Sequence, residues 1–118
     1  MDHDRARSLL SAERDEVQRL LKAAEAAVRQ DRQSEVDSEA GDIEDAAAPL
    51  GWEGTDEAIA GTLRDRLEAI ERALRRLDDG SYGRSVRSGQ PIPDERLEAD
   101  PAAELTVDEA RADERAQR

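Results

Sequence analysis

The chain has 118 residues, with 18 Lys plus Arg against 30 Asp plus Glu for a net charge of −12, and charged residues make up 41% of it. Leu, Ile, Val and Phe together number 20, beside 20 alanines, one Trp and one Tyr. So thin an aliphatic surface suits helices zipped along narrow stripes and excludes a sheet sandwich or an α/β enzyme core. Without clustered Lys and Arg there is no phosphate-neutralising surface, which excludes direct DNA binding.

The N-terminus, Met1-Asp2-His3-Asp4-Arg5, is polar and lacks a signal-peptide core, and no apolar run nears the roughly 18 residues that span a bilayer; a cytoplasmic protein is expected. The absence of cysteine excludes disulfides, thiolate metal sites and Cys nucleophiles. His3, the single histidine, falls in a terminus expected to fray and has no partner for acid/base work. No Ser/His/Asp set or phosphate loop occurs, so the chain is not read as an enzyme.

From Leu10 a heptad places Leu10, Val17 and Ala24 at one seam position and Arg14, Leu21 and Val28 at the other, flanked by Leu9, Leu20 and Ala27. No Pro or Gly interrupts Met1 to Ala40, so propensity agrees with the pattern. A second stripe, Ala60, Leu63, Leu67, Ile70, Leu74 and Leu77, ends at Asp78-Asp79-Gly80, where Gly supplies a helix stop. Thr55 followed by Asp56 and Glu57 reads as an N-cap with acids in the first turn. Each stripe alone would stay wet, so the two helices are expected to pair as a long antiparallel coiled-coil hairpin over residues 1–79, with its tip near 41–54. Residues 31–62 carry Arg32 against ten acids, which puts nine of the net negative charges around that tip. Trp52 in the same loop is either a staple over Ile43 and Leu50 or a partner contact.

Residues 80–118 form a second, small domain rich in turn residues, with a last polar helix from about Val107. The string Ala73-Leu74 to Leu77, Gly80, Tyr82-Gly83, Gly89, Pro91-Ile92-Pro93, Glu95-Arg96-Leu97-Glu98-Ala99 and Pro101 resembles the signature of the DksA/TraR zinc-finger family of RNA polymerase-binding regulators. The family's zinc site has the form Cys-x2-Cys-x17-Cys-x2-Cys; at that spacing this chain has Ser85, Ser88, Thr106 and Glu109. Two serines, a threonine and one carboxylate offer a single zinc ligand, so the finger is expected to lack its metal. It would rest on Tyr82, Val86, Ile92, Leu97, Leu105 and Val107 packing against the hairpin base, with the hydroxyls at 85, 88 and 106 satisfying backbone groups.

The resemblance also implies that the hairpin enters the secondary channel of RNA polymerase and that its tip motif, Asp-x-x-Asp-x-Ala, is supplied here by Asp42, Asp45 and Ala47. Some family members bind ppGpp through basic residues; the matching positions are Thr62, Ala69, Arg96, Asp100 and Ala110, of which Arg96 alone is basic. A weakened ppGpp response follows, with Arg96 able to serve instead as a structural salt bridge or cap. The expected protein is a monomeric transcription regulator without cofactor. The alternative is a non-enzymatic coiled-coil module that pairs with another helix or with itself.

Overall fold

The computed structural model describes residues 1–37 and 55–117, and the side chains of 1–32 and 55–117. Among these residues lie α1 (His3–Asp37), α2 (Asp56–Asp79), α3 (Asp94–Ala99) and α4 (Val107–Ala116). The chain divides into two compact units, Met1–Asp15 with Glu68–Arg118, and Glu16–Leu67.

In the Glu16–Leu67 unit the heptad spacing acts as expected: Val17 and Ala24 of α1 and Ala60 and Leu63 of α2 are buried. Ion pairs flank that seam, Arg64 to Glu25 at 3.2 Å and Arg32 to Glu57 at 2.9 Å. As the numbering rises along α1 it falls along α2, so the helices run antiparallel. Thr55 caps α2, its hydroxyl accepting from the Ala58 N–H at 3.1 Å, which satisfies a donor that the first helical turn leaves free.

In the other unit Ala6 and Leu10 of α1 and Ile70, Ala73 and Leu77 of α2 share a core with Tyr82, Ile92, Leu97, Ala102 and Ala103. Gly80, at φ 84°, ends α2, and the Ser81 N–H returns to the Arg76 carbonyl at 3.0 Å. That left-handed turn is one an L side chain rarely adopts. It sends the chain into a tight turn where Ile92 N–H donates to Gly83 O and Ser85 N–H to Gln90 O, each at 2.8 Å.

The small core departs from expectation at three residues. Val86 is 57% exposed, because its N–H is drawn to the Glu104 carbonyl at 2.9 Å and its side chain is left on the surface; Leu105 and Val107 are half-buried. Pro101, Ala102 and Ala103 are buried instead, in the segment that the Tyr82 hydroxyl anchors by donating to the Pro101 carbonyl at 2.8 Å. His3 is also better placed than a frayed terminus would allow: it opens α1 and meets the Tyr82 ring edge-on at 6.0 Å.

Candidate functional site

Helix α4 begins with Thr106 as its N-cap. The Thr106 hydroxyl accepts from the Glu109 N–H at 3.2 Å, and the Glu109 carboxylate accepts from the Thr106 N–H at 2.9 Å. This is a capping box, and it closes two donors at once. The turn before it has Ser85 buried, with its Oγ accepting from Arg87 N–H at 3.1 Å and Ser88 N–H at 3.2 Å. Ser88 Oγ accepts from Gln90 N–H at 3.3 Å. The three hydroxyls at zinc-ligand spacing thus each satisfy a backbone donor.

Ser85, Ser88 and Thr106 all act on the carboxyl of Glu109. Glu109 is held down at about 2, first by the Thr106 N–H, then by the Ser85 hydroxyl, with the Ser88 and Thr106 hydroxyls adding to it. Each serine oxygen accepts from backbone N–H groups. The Arg87–Asp113 pair at 2.8 Å ties the same turn to α4 from the outside.

These residues do not fit a zinc ion. Zinc needs a closed set of thiolate, imidazole or carboxylate donors, and the one carboxylate here is already engaged by the Thr106 N–H at 2.9 Å. Among the described residues no group of three or more His, Cys, Asp or Glu side chains is placed to hold a metal ion.

Beside this turn, Glu104 receives Arg72 through Nε at 3.1 Å and Nη2 at 2.9 Å and Arg76 through Nη1 at 3.1 Å. The Arg72 bond, foremost, holds its carboxyl below the ordinary range. The pairing was not visible from spacing, since Glu104 sits in an irregular segment far from α2 in sequence. Arg96 donates its Nε to the Leu105 carbonyl at 3.0 Å, a structural bond inside the finger.

In the Glu16–Leu67 unit, Val28, Asp31, Arg32, Thr55, Asp56 and Glu57 line a hollow of about 290 Å³. Asp56 is raised by a side-chain hydrogen bond with Asp31, a carboxyl pair that sequence patterning had passed over as part of a charge run. The tip residues Asp42, Asp45 and Ala47, and Trp52, lie outside the described residues.

No family model matches the chain. It is 49% identical over 59 residues to general stress protein 16O of Bacillus subtilis, an alignment covering 50% of this chain and 36% of that protein. It is 43% identical over 68 residues to the RNA polymerase-binding transcription factor DksA of Caulobacter vibrioides, covering 54% of this chain and 48% of the relative. The chain therefore spans half or less of the length of these curated relatives. Its fold resembles that of the transcription factor DksA2 from Pseudomonas aeruginosa, with a TM-score of 0.70 and 24% identity over 98% of this chain and 86% of that one. These likenesses, joined to the antiparallel helices and the finger turn, support the resemblance to the DksA/TraR family, with Ser85, Ser88, Thr106 and Glu109 standing at that family's zinc-ligand spacing.

Proposed function

We propose that this protein is a non-enzymatic transcription regulator that binds RNA polymerase directly. The observation that carries this reading is the 43% identity to a relative named for binding that enzyme. In it the hairpin of residues 1–79 enters the secondary channel, with a tip near 41–54 that presents Asp42, Asp45 and Ala47, and residues 80–118 form the finger domain. A channel that passes nucleotides and phosphate chains would trap a basic tip, whereas a tip rich in carboxylates stays free to act beside a metal-bearing active centre.

The protein works as a monomer in the cytoplasm, without touching DNA and without structural zinc. Its response to ppGpp is weak, because a tetraphosphorylated nucleotide needs several cations and Arg96, the one basic residue among the five matched positions, donates to the Leu105 carbonyl.

The test is capture of purified RNA polymerase on immobilised protein, followed by transcription in vitro, for the wild type and for Asp42→Asn/Asp45→Asn. The wild type is expected to bind and to change initiation. The double variant is expected to bind and to lose that effect. A wild type that captures no polymerase overturns the proposal.

A further inference from the structure

Glu104 lies in the irregular segment between α3 and α4. The polar groups of the next two residues turn back into the finger: the Leu105 carbonyl accepts from Arg96 Nε at 3.0 Å, and the Thr106 N–H goes to Glu109. Glu104 instead reaches out in two directions. Its carboxylate takes Nε and Nη2 of Arg72 at 3.1 and 2.9 Å and Nη1 of Arg76 at 3.1 Å. Arg72 and Arg76 stand one turn apart, on one face of α2. Its backbone carbonyl meanwhile accepts from the Val86 N–H at 2.9 Å. One residue thus ties α2, the 84–88 turn and its own segment.

The two arginines are not equal partners. Arg72 is 43% exposed, whereas Arg76 is 12% exposed, and its Nη2 is buried with no hydrogen-bond partner. A guanidinium does not shed its proton, so Arg76 without Glu104 is a buried charge without its carboxylate. Removing one member of such a pair costs far more than replacing both by apolar groups of similar volume. The apolar anchors beside Glu104 are slight, because Ala102 and Ala103 are buried but bring one methyl group each.

We propose that Glu104 is a latch: its carboxylate, gripped by Arg72 and Arg76, fixes the 101–105 segment and the 84–88 turn to α2 as one body, and both let go together when that charge is removed. The latch is independent of polymerase binding and is read on the free protein.

An ordinary surface ion pair makes a different prediction, because it contributes little and leaves a backbone bond elsewhere untouched. The Val86 amide separates the two. Its acceptor is the backbone carbonyl of residue 104, present whatever the side chain, so a change in its exchange means that the segment has moved. Amide hydrogen exchange is followed by NMR on the full-length protein for the wild type, Glu104→Ala, Glu104→Gln, Arg72→Ala, Arg76→Met and the double variant Glu104→Ala/Arg76→Met. Glu104→Ala is expected to speed exchange at Val86 by roughly tenfold or more, the scale of lost hydrogen bonds to a charged group. Glu104→Gln is expected to fall between it and the wild type, and Arg72→Ala and Arg76→Met to have smaller effects than Glu104→Ala. Adding Arg76→Met to Glu104→Ala is expected to recover protection by roughly threefold or more, because the uncompensated charge goes with it. If Glu104→Ala unfolds the finger altogether, the double variant is expected to refold it. The proposal is overturned if the Val86 amide exchanges at the wild-type rate in Glu104→Ala, or if the double variant is no better protected than Glu104→Ala alone.

Discussion

Glu109 accepts from the Thr106 N–H at 2.9 Å, and that bond first, with the nearby Ser85, Ser88 and Thr106 hydroxyls, favours its ionised form, so its carboxyl is held at about 2 against an ordinary value of 4.5. A group lowered on folding stabilises the native state above its unfolded value, and that contribution is lost as pH falls from about 4.5 towards 2. Other carboxyls of the same unit move in the same direction. Glu98 is lowered by its hydrogen bond with Arg5, Glu104 by Arg72 and Asp113 by Arg87. Acid should therefore loosen this unit over that window. Side-chain NMR of Glu109 is expected to give a midpoint near 2; a midpoint near 4.5 would show that the capping box with Thr106 is not formed in solution.

Among single residues, small size proved harder to read than large. Ala6, Ala73, Ala102 and Ala103 are all buried, yet an alanine fits a helix surface as well as a core, so composition gave no signal for them. Val86 failed in the opposite sense, since its apolar character suggested burial while its backbone bond to Glu104 held it on a surface turn.

At the scale of elements, the stripes of α1 and α2 and the N-cap of α2 were legible because they follow from residues a few places apart. Val17, Ala24, Ala60 and Leu63 fall where three- and four-residue spacing puts them, and Thr55 caps α2 as its side chain allows. What spacing could not show is which acids on the two helices face each other. Asp31 and Asp56 do, and the hydrogen bond between them raises Asp56. This bond requires a proton. Its contribution is full at low pH and is lost as pH rises through the raised value, after which the two carboxylates repel. Asp31→Asn keeps a donor and removes the charge, so it is expected to raise the thermal midpoint at pH 7 and to gain little at pH 4, as followed by circular dichroism. A gain that is equal at both pH values, or a loss at pH 7, would count against the pair.

For the whole molecule, the acid excess and the missing cysteines both acquire positions. Nine net negative charges fall in residues 31–62, around the expected tip, which is the part of the chain the proposed action on polymerase depends on. The cysteines are absent at four positions, three of which act on the carboxyl of the fourth, Glu109. If those positions converge as a finger's ligands do, replacing all four restores a thiolate cage. Ser85→Cys/Ser88→Cys/Thr106→Cys/Glu109→Cys is expected to bind one zinc per chain, and cobalt with the absorption of tetrahedral thiolate coordination. A variant that binds neither metal would show that the four sites stand apart.

The sequence by itself determined the helix stripes, their caps, the stop at Gly80, the distribution of charge and the spacing of the four finger positions, because each of these is set by residues a few places apart or by counting. Only the tertiary structure decided that Ser85 is buried with its hydroxyl accepting from the turn's own backbone, that Glu104 gathers Arg72 and Arg76, that Asp31 meets Asp56, and which small residues are buried. Those outcomes depend on the path the chain takes between distant segments, and a hydrogen bond across such a distance leaves no period in the sequence to read.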